Sequence, residues 1–203
     1  FEYLMPSLVL DEPHGSVLRE ACHAALREQI AFAAGQGVPW GISESAYAGR
    51  DHTLAYQYAP QGVPRLALRR TPPGELAIAP YATALAALIA PQRAAANFTA
   101  LEKLGARGPY GFLEAPDFSP SRQGDGATVT PVSTFMAHHQ GMTIVALANV
   151  LLGGVAQRWG TAHARIEAVL PLLQERAPRE LPTLQATPPR LPLHARQQKT
   201  PDH

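Results

Sequence analysis

The stretch 16-SVLREACHAALREQIAFAA-34 decides the fold class of this chain. Alanine and leucine recur through it, and both are strong helix formers. Gly35-Gln36-Gly37 follows at once, which is typical of a helix C-terminus. We therefore predict a helix over residues 17–34. Because similar runs recur further on, we predict a mainly α-helical chain.

Alanine and leucine runs bounded by proline and glycine indicate further helices. Pro80 and Pro91 each suit the first turn of a helix. The apolar run over residues 132–152 is closed by Gly153-Gly154, and its apolar character extends most of the way round, so we expect this helix to be well buried. The predicted helices lie near residues 80–89, 92–104, 134–152 and 160–175.

Two long connections separate these helices. Residues 36–79 contain four aromatic side chains, and a connection of that length in a compact domain usually has a function. Residues 109–133 are irregular, with a small β-hairpin. Its predicted strands are residues 110–114 and 127–132, and its turn is Gly124-Asp125-Gly126.

Composition excludes several classes of protein. The 203 residues fit one large domain or a piece of one, 46% of them are apolar, and the net charge of +1 gives no field that would attract nucleic acid. The single cysteine, Cys22, allows no internal disulfide and fits a reducing compartment. No run of eighteen apolar residues occurs, so we expect no membrane contact by this segment.

The two ends of the chain suggest its organisation. It begins Phe1-Glu2-Tyr3 without a charged leader, which is typical of an excerpt from a longer polypeptide. From about Arg176 onwards it is basic and rich in proline. We predict a folded domain over residues 1–175 and a poorly ordered tail or linker over residues 176–203.

Two glutamates lie in segments that also carry aromatic residues and glycine. Glu44 follows Trp40-Gly41, and Glu114 follows Tyr110-Gly111-Phe112. Aromatic faces stack on sugar rings, and paired carboxyls act on the anomeric carbon, so this pattern favours sugar chemistry. A second interpretation stays open for each segment. Glu44 fits the first turn of a helix, and Glu114 fits the exposed side of a surface hairpin, as does Asp117.

The segment His138-His139-Gln140 begins the apolar helix. Adjacent helical side chains point about a hundred degrees apart, so the two histidines do not ligate one metal comfortably. No His-Glu-x-x-His pattern occurs either, and we expect no metal and no cofactor. One histidine fits the core, while the other, with Gln140, fits hydrogen bonding to sugar hydroxyls.

Six segments of the chain form a pattern that extends beyond any single motif. In order, they are residues 1–6 (FEYLMP), 38–45 (VPWGISES), 56–58 (YQY), 79–82 (APYA), 110–115 (YGFLEA) and 135–142 (FMAHHQGM). Together they resemble the glucoamylase-like region of cyclic β-1,2-glucan synthases, and the resemblance covers roughly residues 1–175 in one register.

The resemblance implies an (α/α)6 toroid. A full toroid needs about twelve helices, so this chain should be its C-terminal half, with a small β-hairpin and long functional loops. The implied partners are β-1,2-glucan and the glycosyltransferase and phosphorylase-like regions of the same polypeptide, and no nucleic acid. The implied location is the cytoplasmic face of the bacterial inner membrane, as a soluble part of a membrane-bound protein.

The resemblance also implies retaining transglycosylation, which closes linear β-1,2-glucan into a ring. On this hypothesis Glu114 is the nucleophile and Glu44 the acid/base. Two alternatives stay open: an inverting endo-β-1,2-glucanase-like hydrolase, and a non-catalytic glucan-binding or structural fragment. The residues expected to contact the substrate are Trp40, Tyr47, Tyr56, Tyr58, Tyr110, Asp117, Arg122, His138, His139 and Gln140.

Overall fold

The computed structural model describes residues 1–67 and 74–176. Helices dominate it, which confirms the mainly α prediction. Six are α-helical: α1 (Val17–Gln36), α2 (Pro80–Ala87), α3 (Pro91–Lys103), α4 (Ala137–Leu151), α5 (Val155–Thr161) and α6 (Ala164–Glu167). Short 3-10 turns cover Met5–Leu8, Pro120–Arg122 and Leu170–Gln174. The predicted tail, apart from Arg176, lies outside the described residues.

Helix α1 begins and ends where its sequence indicates. The Ser16 side chain accepts a hydrogen bond from the Arg19 amide at 3.2 Å and so caps the first turn. Gly37 adopts a left-handed conformation at φ 68°, and its amide donates back to the carbonyls of Ala33 and Ala34. Glycine takes that conformation without a Cβ clash, so the helix stops there.

Helix α2 is the centre of the fold. All eight of its residues are buried, and both α3 and α4 pack against it. Pro80 occupies its first turn, where the missing N–H costs no helical hydrogen bond. Leu85 of α2 and Ala146 of α4 belong to one core cluster with Leu8, so burial of apolar side chains holds α2 and α4 together.

Helix α4 is less buried than we predicted from its apolar sequence. Only His139, Ala146 and Asn149 are buried along it, and Ile144 is 69% exposed. The reason is that α2 covers one side of α4, and among residues 1–67 and 74–176 nothing covers the opposite apolar side. No single described helix is long and apolar enough to span a membrane. Taken together, α4 and α5 have the necessary length and apolar composition, but the pair is bent by 100°.

The predicted final helix over residues 160–175 is wrong. The segment instead contains the end of α5, the single turn of α6 and a 3-10 turn over Leu170–Gln174. The His163 side chain accepts from the Arg165 amide at 3.2 Å and starts α6 afresh. Pro171 then cannot donate a helical hydrogen bond, so the chain tightens into the 3-10 turn.

The connection over residues 36–79 contains an antiparallel hairpin that the sequence reasoning missed. Its strands are β1 (Ser45–Arg50) and β2 (Tyr56–Ala59), with Ala46 opposite Tyr58. The connecting turn holds Leu54 at φ 66°, a conformation that leucine rarely adopts, so the turn carries no obvious sequence signal.

The hairpin predicted over residues 110–114 and 127–132 has the wrong first strand. The remaining strands are β3 (Arg107–Gly108), β4 (Gly111–Phe112), β5 (Ala115–Asp117) and β6 (Thr130–Val132). β4 pairs locally with β3, whereas β6 pairs with β5, placing Ala115 opposite Val132. Both of these side chains are fully buried in one cluster with Ala46, so burial of small apolar residues sets the pairing.

Candidate functional site

Glu44 and Tyr58 meet at the base of the β1–β2 hairpin. Glu44 directly precedes β1, and Tyr58 lies on β2 opposite Ala46. This register brings the Tyr58 hydroxyl to the Glu44 carboxyl, to which it donates at 2.9 Å. The same hydroxyl lies 3.3 Å from Nε2 of His138 and 3.3 Å from Nε2 of His139. One phenol therefore joins a loop carboxyl to the start of α4.

Glu114 and His139 form a buried pair on the far side of that phenol. Nδ1 of His139 lies 2.9 Å from Oε1 of Glu114, and both side chains are about 1% exposed. The Ala46 amide donates to the same Glu114 oxygen at 3.1 Å. Glu114 is itself fixed by its own amide, which donates to the Thr134 carbonyl at 3.0 Å. The carboxyl is thus held between β1 and α4.

The ring of Tyr81, on α2, packs against this pair. Its ring stacks on His139, with ring centroids 3.8 Å apart and planes 15° from parallel. Its hydroxyl donates to the Glu44 backbone carbonyl at 2.9 Å and lies 2.8 Å from Oγ of Ser43. Burial raises the pKa of Tyr81, and the Glu44 and Glu114 carboxyls raise it further, so the group stays a phenol at neutral pH.

Glu44, Tyr58, His139 and Glu114 form what we call the hydrogen-bonded row. Tyr58 donates to Glu44 at 2.9 Å, its hydroxyl lies 3.3 Å from Nε2 of His139, and Nδ1 of His139 lies 2.9 Å from Glu114. Close polar contacts therefore join the two carboxyls through one phenol and one imidazole. Burial and the Glu44 carboxyl both raise the pKa of Tyr58, so that phenol keeps its proton.

The two middle groups of the row can each donate and accept a hydrogen bond. A phenol hydroxyl does both at one oxygen, and an imidazole does so through its two ring nitrogens. The row is thus built to pass a proton between Glu44 and Glu114, and acid–base catalysis needs such a connected pair of carboxyls.

Asp117 and Arg122 form an ion pair that is hydrogen-bonded to β1, and we call this pair the supporting layer. Asp117 is fully buried, accepts from the Ala48 amide at 2.9 Å and pairs with Arg122 at 2.7 Å. Arg122 also pairs with Glu75 at 2.5 Å and lies over the Tyr47 ring at 4.6 Å. Burial opposes ionisation of Asp117, but the hydrogen bonds from Arg122, Ser119 and Ala48 outweigh it and hold its pKa below the ordinary value.

Three residues predicted to contact the substrate already have partners within the protein. Asp117 and Arg122 make their hydrogen bonds to other protein groups, and the Tyr47 hydroxyl donates to Gln57 at 2.7 Å. The Glu114 and Asp117 carboxylates accept from Ala46 and Ala48, alternate amides of β1. We therefore expect Asp117 and Arg122 to position β1 rather than to contact a ligand.

Two cavities flank the hydrogen-bonded row. The larger, of about 540 Å³, is lined by Trp40, Glu44 and Tyr58 among others. The smaller, of about 160 Å³, is lined by Glu114, His139 and Gln140 among others. The structure links Glu44 and Glu114 through Tyr58 and His139 but places each glutamate against a different cavity.

The remaining predicted residues lie at different distances from this centre. His138 touches it directly, with its ring 4.0 Å from that of His139. Gln140 donates weakly to the Phe112 carbonyl at 3.4 Å. Tyr56 stacks under Arg50 and accepts from the Ser133 amide, so it holds β2 against β6. Tyr110 is 87% exposed, and within the described residues no hydrogen bond or ring contact joins it to the site.

Sequence reasoning missed four residues of the site. Ser43 and Tyr81 lie inside segments that carried the resemblance, and a tyrosine in a mostly apolar helix was a usable signal. Gln61 and Gln29 line the larger cavity, and nothing in their local sequence marks them. Within the described part of the chain, no group of three histidine, cysteine or acidic side chains is arranged to hold a metal ion.

Comparisons with known proteins agree with this picture. The family model described as "Putative glucoamylase" matches residues 23–162. Cyclic beta-(1,2)-glucan synthase NdvB of Rhizobium meliloti (strain 1021) is 45% identical over 186 residues, which cover 92% of this chain and 7% of that protein. The chain thus spans a small part of this relative's length, and the match confirms the resemblance seen in the six segments.

Two crystal structures share the fold. Both are described as putative glucoamylases, from Bacteroides caccae ATCC 43185 and Bacteroides fragilis NCTC 9343. Their TM-scores are both 0.54, with 19% and 22% identity, and each match covers 82% of this chain and 38% of the other. The sequence matches support a carbohydrate-active role for the domain. From the family model, which covers most of its length, the chain belongs to the glucoamylase-like family.

Proposed function

We propose that this domain closes linear β-1,2-glucan into a ring by retaining transglycosylation. In such a reaction one carboxylate attacks the anomeric carbon and forms a glycosyl-enzyme. The other carboxyl protonates the departing oxygen and later takes the proton of the incoming hydroxyl. Ring closure requires the far end of the same chain to replace water as acceptor. The similarity to a cyclic β-(1,2)-glucan synthase supports this choice of substrate.

The hydrogen-bonded row is the observation that carries the proposal. It connects two glutamates through Tyr58 and His139, whose hydroxyl and imidazole can pass a proton between them. A retaining enzyme needs one carboxyl protonated and the other ionised at the start of its reaction. The row offers a route by which the two carboxyls can share one proton.

Exposure supports distinct roles for the two glutamates. Glu44 is half-buried and lines the larger cavity, so its carboxyl is placed to give a proton to a bound glucan. We assign Glu44 as the acid/base and Glu114 as the nucleophile. Because Glu114 is 2% exposed and bonded to His139, its attack requires that hydrogen bond to open when substrate binds. This requirement is a specific condition of the assignment.

One observation favours a second candidate, the inverting β-1,2-glucanase-like hydrolase. The Tyr58 hydroxyl and the His139 imidazole lie in the path between the two carboxyls. Inverting enzymes separate their carboxyls by about 6.5–9.5 Å to admit water, whereas retaining enzymes hold them about 5–5.5 Å apart. An intervening phenol and imidazole fit the wider arrangement better. Asp117 does not fit the role of water-activating base, because it is fully buried and ion-paired.

The wider context of the domain is proposed on the same grounds. We propose that residues 1–175 form the C-terminal half of an (α/α)6 toroid, and that glycosyltransferase and phosphorylase-like regions of the same longer polypeptide are its partners. In this arrangement the domain would lie at the cytoplasmic face of the bacterial inner membrane. The match to a small part of a glucan synthase is consistent with such a context.

Product analysis with linear β-1,2-glucan in ¹⁸O-labelled water tests the proposal. Retaining transglycosylation predicts unlabelled cyclic products, each one water lighter than the corresponding linear chain. Labelled linear products of inverted anomeric configuration would instead support the inverting hydrolase. Binding of the glucan without any product would support the non-catalytic alternative, provided that the full-length polypeptide is also inactive in ring closure.

A further inference from the structure

We propose that Gln61, assisted by Gln29, holds a neutral glucosyl unit in the larger cavity beside Glu44. This inference rests on the proposed function, because it names the residues that would bind the glucan there. It assigns a binding role to two side chains that neither the predicted site nor the hydrogen-bonded row includes.

Gln61 is a buried amide without a partner. Its side chain is 7% exposed, and neither its Nε2 nor its Oε1 has a hydrogen-bond partner within the described residues. The residue lines the larger cavity together with Trp40, Glu44 and Tyr58. Buried polar groups in proteins are almost always hydrogen-bonded, so an unpaired amide at a cavity wall is available to pair with a ligand that enters the cavity.

The backbone around Gln61 holds it in that position. The backbone N–H of Gln61 donates to the Ala59 carbonyl at 2.9 Å, directly after β2 ends. Two residues on, Val63 is fully buried in a core cluster with Ile42 and Ile78. The Val63 carbonyl in turn accepts from the Leu66 and Ala67 amides at 2.8 Å. Gln61 therefore lies on a fixed segment, and this segment keeps its side chain against the cavity.

Gln29 presents a second unused acceptor to the same cavity. Its Nε2 donates to the Ile42 carbonyl at 2.7 Å, which fixes the orientation of the amide on α1. Its Oε1 is buried and has no partner in the described part of the chain. Because Nε2 is already engaged, Oε1 is available to accept from a ligand hydroxyl.

The charges around the cavity select a neutral ligand. Among the described residues that line it, the charged side chains are Glu2 and Glu44, and both are acidic. No described lysine, arginine or histidine lines it, and the amine among these residues, the N-terminal group of Phe1, already donates to Oγ of Ser43 at 3.0 Å. An anionic ligand such as a sugar phosphate would meet two acidic side chains against one amine whose pKa is lowered by burial. The cavity therefore fits an uncharged polyol.

A glucosyl unit satisfies these groups together. A primary amide offers a donor and an acceptor side by side, and adjacent sugar hydroxyls each donate and accept, so the two can pair twice. The Trp40 indole in the same wall offers an aromatic face for the sugar ring. A unit held in this way lies against the Glu44 carboxyl, where the acid/base has to act.

Calorimetric titration of the full chain with a linear β-1,2-glucan oligosaccharide tests the inference, with glucose 1-phosphate as the anionic probe. We expect Gln61→Leu to weaken oligosaccharide binding by about tenfold or more, because it removes two hydrogen bonds to the ligand. Without ligand, the same variant should melt at a higher temperature, because it removes a buried unpaired amide. Glucose 1-phosphate should bind to neither protein.

Gln92→Leu is the matched control, because Gln92 is exposed on α3 and does not line the cavity. It should leave both binding and melting unchanged. Gln61→Met keeps the unbranched shape and should repeat the Gln61→Leu result if leucine packs poorly. Unchanged oligosaccharide binding by both Gln61 variants, beside a wild type that binds, would overturn this inference alone. A wild type that binds no β-1,2-glucan would overturn the proposed function with it.

Discussion

Replacing Tyr58 with phenylalanine tests the hydrogen-bonded row with the smallest chemical change. The variant loses one oxygen and with it the bonds to Glu44, His138 and His139. Within the described residues, no other hydrogen bond reaches the Glu44 carboxyl. The ring remains and still lines the larger cavity. The change therefore cuts the proton path between the glutamates and leaves the cavity wall in place.

The expected magnitude follows from these contacts. Positioned acid–base groups contribute about 10²–10⁴ in rate, and Tyr58 acts through Glu44, so we expect a fall in kcat of about 10²-fold, near 3 kcal/mol. KM should change by less than about threefold, because the ring still lines the wall. Tyr58 is 38% exposed, so the free energy of unfolding should fall by less than about 1 kcal/mol.

The assay is steady-state product formation from linear β-1,2-glucan, with urea denaturation of the same samples. Tyr110→Phe is the matched comparison, because the Tyr110 side chain is 87% exposed and the structure does not bring it to the row. A Tyr58→Phe variant with wild-type kcat would refute the role of the row. Equal losses in both variants would show that the effect is not specific to Tyr58.

Two further predictions concern stability, measured by urea denaturation. Asp117→Asn should lower the free energy of unfolding at neutral pH by roughly 2 kcal/mol, because Arg122 loses one of its two buried partners. The pKa of Asp117 is lowered by folding, so its contribution is present above the unfolded-state value and lost as pH falls through the folded-state value. Wild type should therefore lose more stability on acidification below about pH 4 than the variant does. Ile144→Ser should cost less than about 0.5 kcal/mol, since the side chain is 69% exposed, whereas Ala146→Leu in the core should cost about 1–3 kcal/mol.

The helices were predictable because their signals are local. Ser16 caps α1, Gly37 ends it, and Pro80 and Pro91 open the next two helices, as the sequence indicates. The last predicted helix failed because amphipathic spacing alone did not account for Pro171. The buried face of α4 was overestimated for a different reason, since periodicity shows which side is apolar and not whether anything packs on it.

The residues of the site were easier to predict from the sequence than their arrangement in space. Aromatic and glycine residues around Glu44 and Glu114 marked both segments, yet nothing in their local pattern indicates that Glu114 is covered by His139. That contact spans 25 residues and depends on how α4 packs on α2. The role of Gln61 could not be predicted from the sequence for the same reason, because an unpaired amide is recognised only when its surroundings are known.

Trapping of the glycosyl-enzyme tests the central claim most directly. Glu44→Gln and Glu114→Gln would each be incubated with an activated β-1,2-glucan donor, and the modified peptide identified by mass spectrometry. We predict an adduct on Glu114 in the Glu44→Gln variant, since a good leaving group needs little protonation, and none in Glu114→Gln. Neither variant should close rings from linear glucan. An adduct on Glu44 in the Glu114→Gln variant would reverse the two roles. Ring closure at the wild-type rate by either variant would contradict the paired-glutamate account.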